Sequence, residues 1–308
     1  MATSVIIPVR NRPRLVARAI RSLQAQALPV DEIVVVDDGS TDDTPDVVAD
    51  IARQDPRIQL IRLQPAGGAN RARNAGARRA RGERLAFLDS DDQWLPEKHA
   101  LQVEALKRAP EAVAAFTGVR CDFGHWASDH PAAERADKAA LRTSNVLGTT
   151  STAMVRREAF ERAGAFDEDL PSCQDWDLWL RLADEGAFAI VREPLVIYDS
   201  SAPERISSQF DGVIAGHLTV FARALAGVEN RRERTTIAAL HTQRLAELHY
   251  DAGRYGSAVW LALKGFAGRP RLRPLVVPMR LLGRAVLPTP ARTALRRLHA
   301  RKPRPTPT

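Results

Sequence analysis

The stretch Leu85-Ala86-Phe87-Leu88-Asp89-Ser90-Asp91-Asp92 places three carboxylates directly after four apolar residues. An apolar run of this length predicts a short buried strand, and the acids then follow where the strand leaves the core. In open α/β sheets, ligands bind outside the carboxyl ends of the strands. Asp89 and Asp91 are separated by one residue, so both can face one hard cation, which prefers oxygen ligands. Taken alone, the same acids also fit a solvated loop, so the rest of the chain has to decide.

Two earlier strands are predicted to end in polar clusters as well. Residues 4–9 and 32–36 are apolar runs of strand length, followed by Arg10-Asn11 and Asp37-Asp38 respectively. Helical spacing follows both runs, and this alternation of strand and helix predicts a parallel sheet with helices on both faces. The polar clusters of parallel strands meet at one edge of the sheet. We therefore predict a binding site there.

Several local expectations follow from the pattern of residues along the chain. Asn11 is expected to cap the first helix, with Pro13 in its first turn. Residues 118–145 are expected to form an irregular loop, and residues 188–191 and 195–198 two separate strands. The sequence from residue 212 onward predicts mostly helix.

The composition fits a globular protein with one large α/β domain and an appendage. The chain has 308 residues, of which 44% are hydrophobic and 27% charged. Its two cysteines are far apart, which favours a reducing compartment over a disulfide framework. The chain enters a strand at once and has no apolar run near 18 residues, so neither a signal peptide nor a transmembrane helix is predicted. We expect a cytoplasmic location.

The positive charge of the chain is concentrated at its C-terminal end. The net charge is +8, but no acidic residue follows Asp251, while 13 of the 45 Lys and Arg residues do. Residues 269–308 hold ten arginines and one lysine interleaved with apolar residues. This pattern predicts either peripheral binding to an anionic membrane surface, at the cytoplasmic face, or a polar tail without that role. Nucleic acid is not expected as a partner, because aromatic interleaving and binding motifs are missing.

Four segments carry a more specific pattern, which includes Val-Val-Asp-Asp-Gly-Ser-Thr, Asp-Ser-Asp-Asp and Gln-Asp-Trp-Asp. The segments are Ser4–Asn11, Ile33–Thr41, Gly68–Asp92 and Gly164–Arg181. In this order and spacing they resemble glycosyltransferase family 2, the inverting nucleotide-sugar enzymes with the GT-A fold. The resemblance covers roughly residues 3–210.

The resemblance implies a fold and a division of the chain. The fold is an α/β, Rossmann-like, mixed but mainly parallel sheet flanked by helices. We expect a GT-A domain over residues 1–210, a helical extension over 211–268 and a basic, Pro/Arg-rich tail over 269–308.

The resemblance also implies roles for individual residues. Asp89 and Asp91 match the metal-binding DXD motif, with Asp91 the more direct ligand, and Asp175 matches the general base. Asp177 is the alternative base or a further substrate contact, and Gln174 stands where the family motif usually has Glu. The residues implied to contact the donor are Pro8, Arg10, Asn11, Asp38, Asn70, Arg73, Ser90 and Arg205. For Trp176 and Trp179 we expect core packing of at least one and acceptor contact by the other.

The chemistry implied is transfer of a sugar from a nucleotide-diphospho-sugar, with UDP favoured, to an acceptor hydroxyl. A divalent cation, Mn²⁺ or Mg²⁺, would neutralise the leaving diphosphate, and one carboxylate would accept the proton of the hydroxyl. The acceptor would be a glycan, a lipid-linked sugar or a small molecule, in assembly of cell-surface polysaccharide or glycolipid.

Three alternatives can be weighed against this function. A catalytically silent protein that binds nucleotide sugars fits the same residues, and Gln174 is the hint in its favour. A sugar-1-phosphate nucleotidyltransferase would need a glycine-rich loop after the first strand, whereas Pro8-Val9-Arg10-Asn11-Arg12 has no glycine. A dinucleotide-binding dehydrogenase is disfavoured because no G-x-G-x-x-G follows any predicted strand.

Overall fold

The structure is a computed structural model that describes residues 1–199 and 209–268. The chain divides into two compact units, Met1–Ala224 and a second unit that begins at Leu225. The arginine predicted to contact the diphosphate, Arg205, and the basic tail over 269–308 lie outside the described residues.

One mixed sheet forms the centre of the first unit. The strands are β1 (Thr3–Val9), β2 (Glu32–Asp37), β3 (Ile58–Arg62), β4 (Arg84–Phe87), β5 (Gln93–Trp94), β6 (Ala112–Asp122), β7 (Ala127–His130), β8 (Ala153–Arg156) and β9 (Ala187–Asp199). Their order within the described residues is β3-β2-β1-β4-β8-β6-β9-β5, and β7 pairs with β6. Strands β1 to β4 pair in parallel, and β9 is parallel to β6, whereas β8 is antiparallel to both of its neighbours. The sheet is therefore mixed and mainly parallel, as the sequence predicts.

Helices flank this sheet and continue into the second unit. They are α1 (Pro13–Gln24), α2 (Thr44–Ala52), α3 (Ala69–Arg79), α4 (Lys98–Arg108), α5 (Lys138–Leu141), α6 (Arg157–Arg162), α7 (Gln174–Glu185), α8 (Phe210–Leu225), α9 (Arg231–Asp251) and α10 (Tyr255–Gly268). No helix of the described residues is both long and apolar enough to cross a bilayer.

The first strands are buried because their central residues are apolar on both faces. All residues of β1, β2 and β4 are buried, as is typical of parallel strands covered by helices on both sides. Helix α3 packs closely on the sheet at Gly76, where an added Cβ would lie 2.5 Å from Cγ2 of Ile6. This close packing fixes α3, so its N-terminus lies near the carboxyl ends of β1 and β2.

The expectation that Asn11 caps α1 is wrong. Arg12 precedes the helix, and no side chain caps it. Asn11 instead has a φ of 52°, and its Oδ1 accepts a hydrogen bond of 2.9 Å from the backbone N–H of Thr41. The short carboxamide tolerates the left-handed conformation and connects the end of β1 to the loop after β2.

Two further local expectations also need correction. Residues 118–145 are not all irregular, because β6 continues to Asp122 and forms a hairpin with β7. The two strands expected over residues 188–198 are one strand, β9, with an irregular register near Pro194. Proline lacks a backbone N–H and is tolerated in a sheet at such irregularities, so it interrupts the pattern of the sequence without ending the strand.

The second unit contains the helical pair α9 and α10. Ala246 and Tyr250 of α9 form a small core with Ala258 and Ala262 of α10. The alanines allow the two helices to approach closely, and the other face of α10 is left exposed.

Candidate active site

A cavity of ≈ 420 Å³ lies at the carboxyl ends of β1, β2 and β4. Its wall contains Pro8, Val9, Arg10, Arg12, Asp38, Gly68, Ala69, Arg73, Asp89, Ser90, Asp91, Thr149, Thr150, Ser172, Cys173, Gln174, Asp175 and Tyr198. The polar clusters that follow three strands in the sequence thus meet in one place. The carboxylate of α7, more than eighty residues further along the chain, faces the same cavity.

The loop that carries Asp89 and Asp91 is held by hydrogen bonds to residues far away in the chain. The backbone N–H of Asp89 donates to Oγ of Ser151 over 3.0 Å, and that hydroxyl donates to Oδ2 of the buried Asp92 over 2.6 Å. Arg18 donates to the backbone carbonyl of Asp91 over 2.6 Å. The buried Asp92 therefore stabilises the loop on its protein side, while Asp89 and Asp91 face the cavity.

Asp89 has protein donors on both carboxyl oxygens. Its Oδ1 pairs with the buried Arg73 at 2.6 Å, and its Oδ2 accepts a hydrogen bond of 2.9 Å from the hydroxyl of Thr150. Arg73 also donates to Oδ1 of Asn70 over 3.2 Å. This arrangement fixes the Asp89 carboxylate and keeps a buried positive charge next to the cavity.

Asp91 is the better placed of the two for a cation. Its Oδ2 pairs with Arg12 at 2.8 Å, and within residues 1–199 and 209–268 no donor to its Oδ1 is found. The described residues contain no group of three or more His, Cys, Asp or Glu side chains that could enclose a metal ion. A cation held by one or two carboxylates and completed by substrate phosphates is the arrangement typical of Mg²⁺ sites, so the residues fit such an ion.

Asp38 organises the opposite side of the cavity. Its two carboxyl oxygens accept hydrogen bonds of 2.8 Å from the backbone N–H groups of Gly67 and Gly68. Gly68 has a φ of 89° and precedes α3, so a residue with a side chain would be strained there. Asp38 thereby places the N-terminus of α3, with its unpaired N–H groups and positive dipole end, at the cavity wall.

Asp175 lies in the first turn of α7. Its Oδ1 accepts a hydrogen bond of 2.8 Å from the backbone N–H of Trp176, and its Oδ2 accepts one of 3.1 Å from the side chain of Asn145. Burial raises the pKa of Asp175 to about 6, with a further increase from the charge of Asp89 and an opposing decrease from Arg73. A carboxylate with this pKa is ionised at neutral pH yet basic enough to accept a proton.

Helix α8 packs directly behind the segment that carries Asp175. An added Cβ at Gly216 would lie 2.3 Å from the backbone carbonyl oxygen of Ser172, and the ring of His217 lies 5.4 Å from that of Trp176. Cys173, between Ser172 and α7, has a φ of 59°. The start of α7 is thus held in a left-handed turn by a helix that leaves no room for a side chain at Gly216.

Asp177 does not reach the cavity. Its carboxyl is fully buried and pairs with Arg181 at 2.6 Å and with Arg223, which also pairs with Asp167 at 2.6 Å. These two arginines occupy both carboxyl oxygens. The structure therefore corrects the expectation of Asp177 as an alternative base or substrate contact, because it connects α7 to α8.

The other predicted residues divide into two groups. Pro8, Arg10, Asp38, Arg73 and Ser90 line the cavity with the three carboxylates. Asn11 and Asn70 do not line it, because their side chains are used within the fold. Asn70 donates hydrogen bonds to the carbonyls of Asp167 and Leu170.

Trp176 and Trp179 are both buried and belong to the core. Their ring N–H groups donate to the carbonyls of Leu141 and Gly148. Neither ring lines the cavity, so the structure favours core packing for both.

Several residues that line the cavity or support its carboxylates are not predicted from the sequence. Arg12 is adjacent to the predicted Arg10-Asn11 pair, so its position after β1 was a usable signal. Thr150 and Asn145 have none, because they come from a region without regular pattern and act by contacts to Asp89 and Asp175. Tyr198 ends the apolar run of β9, where an aromatic residue also fits ordinary packing.

The sequence of the cavity region matches a known family. The family model described as glycosyl transferase family 2 matches residues 4–164. The chain belongs to glycosyl transferase family 2. The matched region supplies every wall residue from Pro8 to Thr150, whereas Asp175 lies beyond it.

Curated relatives share part or most of the chain. An uncharacterized glycosyltransferase of Haemophilus influenzae is 27% identical over 62% of this chain and 66% of its own length. A putative teichuronic acid biosynthesis glycosyltransferase of Bacillus subtilis is 38% identical over 37% of this chain and 45% of its own length. An uncharacterized protein of Mycobacterium tuberculosis is 29% identical over 88% of this chain and 82% of its own. The chain spans 20% to 66% of the length of the first four curated relatives.

Solved structures show that the fold is GT-A. TarS of S. aureus, residues 1–349 in complex with UDP-GlcNAc, aligns with a TM-score of 0.63 at 17% identity, over 88% of this chain and 93% of that one. The mannosyltransferase PcManGT of Pyrobaculum calidifontis, in complex with GDP-Man and Mn²⁺, aligns with a TM-score of 0.62 at 21% identity, over 94% of this chain and 82% of that one. The predicted fold class is confirmed.

Proposed function

We propose that this protein is an inverting glycosyltransferase that moves a sugar from a nucleotide-diphospho-sugar to an acceptor hydroxyl. The observation that supports this proposal most strongly is that Asp91, Asp89 and Asp175 line one cavity. The distance between them in the sequence makes this convergence a feature of the fold. Family membership adds to the proposal, because glycosyl transferase family 2 is a family of transferases of this kind.

The donor would occupy the side of the cavity formed by β1, β2 and α3. Pro8 and Arg10 would contact the nucleotide, and Asp38 would keep the N-terminus of α3 directed at the donor. Backbone N–H groups at a helix N-terminus favour anions such as a diphosphate. Arg73 and Arg12 add positive charge at the same place, and both are oriented by carboxylates.

Asp91 and Asp89 would hold a divalent cation, Mn²⁺ or Mg²⁺, together with the donor phosphates. When bound, such an ion neutralises the charge that develops on the leaving diphosphate. Asp91 is the direct ligand in this proposal because its Oδ1 has no donor in the described part of the chain. Asp89, fixed by Arg73 and Thr150, would orient the site.

Asp175 would act as the general base. The carboxylate accepts the proton of the acceptor hydroxyl as the oxygen attacks the anomeric carbon, while the bond to the diphosphate breaks on the opposite face. Attack from the face opposite the leaving diphosphate inverts the anomeric centre, so no covalent enzyme intermediate and no second catalytic carboxylate are needed. Asn145 and the N–H of Trp176 would hold the carboxylate in place.

The proposed acceptor class is supported by the name of one relative. One relative carries a teichuronic acid biosynthesis name, so the proposal places this chain in assembly of cell-surface polysaccharide or glycolipid. UDP is the favoured nucleotide of the donor, and TarS was solved with UDP-GlcNAc. PcManGT was solved with GDP-Man, so the guanine nucleotides belong in any test.

A thermal-shift panel of nucleoside diphosphates and nucleotide sugars, with and without Mn²⁺, tests the donor site. We expect one nucleotide to raise the melting temperature, and to do so much more with Mn²⁺ present, because ligand binding to the folded state stabilises it. Adenosine monophosphate serves as the control. Equal shifts for all nucleotides, or no shift at millimolar concentration, would contradict the proposal.

A further inference from the structure

Helix α10 exposes large apolar side chains on one face. Trp260 is 60% exposed and Leu263 is 56% exposed. They are three residues apart and therefore lie on the same side of the helix. The buried side of α10 packs on α9 through Ala258 and Ala262. Next to the exposed pair, Nζ of Lys264 lies 4.9 Å from the ring centroid of Trp260.

Such exposure is concentrated on this helix. In the described part of the chain, seven large hydrophobic side chains are exposed, and three of them, Tyr255, Trp260 and Leu263, belong to the 14 residues of α10. Exposed apolar side chains that occur singly need no explanation, whereas a cluster indicates an interaction surface. The Trp260–Leu263 face is therefore a candidate docking surface.

The charge of the sequence from residue 225 onward indicates what would dock there. Residues 225–308 contain 17 Lys and Arg and 4 Asp and Glu, a net charge of +13, whereas residues 1–224 contain 28 and 33, a net charge of −5. The sequence that follows α10 continues this basic character without an acidic residue. The partner of this surface should therefore be strongly anionic.

The side chains of the surface favour a lipid bilayer among anionic partners. A tryptophan places its amphipathic ring at the level of the headgroups, and a lysine beside it extends its charged end toward them. Leu263 would be stabilised by burial among acyl chains, whereas a polyphosphate offers no apolar group for it to contact. Basic residues near an anionic leaflet each add attraction that falls off within a Debye length.

We propose that the Trp260–Leu263 face of α10 docks on an anionic membrane surface. Trp260 and Leu263 insert at the boundary between headgroups and acyl chains, while Lys264 beside them contacts the anionic headgroups. This membrane association is independent of the proposed transferase activity.

Co-sedimentation of the full chain with vesicles tests this proposal. We expect binding to vesicles of phosphatidylcholine with 30 mol% phosphatidylserine, and little binding to phosphatidylcholine alone. Trp260→Ala should weaken binding roughly tenfold, because the transfer of one large apolar side chain is lost. Trp126→Ala is the matched control, since Trp126 is 41% exposed but belongs to the first unit, and it should bind as the wild type does.

Salt and a second variant separate the electrostatic contribution to membrane binding from the apolar contribution. Raising the ionic strength about tenfold should release the protein, because the attraction of the basic residues is screened. Leu263→Ala should weaken binding in the same direction as Trp260→Ala, and thermal melting of each variant verifies that it is folded.

Four outcomes would overturn the proposal. They are no binding of the wild type to anionic vesicles, equal binding to neutral vesicles, equal binding by the Trp260→Ala and Trp126→Ala variants, and preference for a DNA duplex over anionic vesicles at equal salt. The first would indicate that another part of the chain or a protein covers the face, and the last would indicate a nucleic-acid surface.

Discussion

At the scale of single residues, the carboxyl of Asp175 carries the clearest sign of function. Burial raises its pKa to about 6, and such a shift in a cavity that also contains other carboxylates is typical of sites with a chemical role. An ionised carboxylate at this position lowers the stability of the folded protein at neutral pH. A role in binding or chemistry explains why an acid stands at a position where its charge is destabilising.

The raised pKa predicts a pH-dependent effect of Asp175→Asn on stability. Between the unfolded pKa near 3.8 and the folded value of about 6, the folded state binds more protons than the unfolded state, so its stability falls as the pH rises. Asparagine mimics the neutral acid and avoids this loss. We expect Asp175→Asn to be more stable than the wild type by about 1–3 kcal/mol at pH 7.5 and nearly equal at pH 4.

Urea denaturation at both pH values measures this difference. Asp129→Asn is the control with the opposite sign, because a hydrogen bond from Arg120 lowers the pKa of Asp129. Its stability should fall relative to the wild type at pH 7.5. A stability gain of Asp175→Asn that is the same at pH 4 and pH 7.5 would show that Asp175 does not titrate as its surroundings indicate.

The sequence predicts the acidic residues of the site better than it predicts the residues that hydrogen-bond to them. Asp89, Asp91 and Asp175 stand at strand and helix ends in a recognisable pattern. Asn145 and Thr150 are found only through contacts between segments far apart in the chain, and such contacts leave no periodic signal. Asp177 shows the converse, because it is two residues from Asp175 on the same helix and faces arginines behind the cavity.

At the scale of elements, the pair of α7 and α8 positions Asp175, the proposed base. Gly216 of α8 touches the backbone at Ser172, and Arg223 of the same helix pairs with Asp177 of α7. The left-handed turn at Cys173 is held between them. The geometry of Asp175 therefore depends on a helix that contributes no residue to the cavity wall.

This dependence predicts a large effect of Gly216→Ala. The added methyl would lie 2.3 Å from the carbonyl oxygen of Ser172, so α8 or the turn must move. We expect a loss of about 1–3 kcal/mol in stability and a fall in kcat at unchanged donor affinity, because the donor is bound mainly by other elements.

Gly212→Ala on the same helix is the matched control. Its methyl would meet only Cβ of Pro171 at 3.7 Å, which is ordinary contact, so stability and kcat should stay near the wild-type values. Melting curves and steady-state kinetics measure both variants. If Gly216→Ala behaves like Gly212→Ala, α8 does not position the base.

Elements with continuous apolar runs are the ones that the sequence predicts well. Strands β1, β2 and β4 are buried on both faces and appear as uninterrupted apolar stretches. The hairpin of β6 and β7 is missed because its residues are mostly half-exposed or exposed and alternate without a clear apolar face. Pro194 interrupts the apolar pattern of the sequence and so predicts a strand end, although β9 continues through it.

At the scale of the whole molecule, the chain joins two units of opposite charge. The first has a net charge of −5 and contains the cavity, and the second has a net charge of +13. The excess of basic residues is visible in the sequence, whereas the exposed Trp260 is not, because a tryptophan in a helix more often packs in a core. In the described residues the exposed face lies on α10, and the basic sequence of residues 269–308 follows that helix along the chain.

The measurement that tests the central proposal most directly compares Asp91→Asn and Asp175→Asn in two assays, donor binding with Mn²⁺ and turnover. We predict that Asp91→Asn loses the Mn²⁺-dependent part of donor binding, whereas Asp175→Asn keeps donor binding and loses turnover by at least about 10²-fold, as expected for a general base. Asp175→Asn with wild-type turnover would contradict the account, and so would Asp91→Asn with undiminished Mn²⁺-dependent binding.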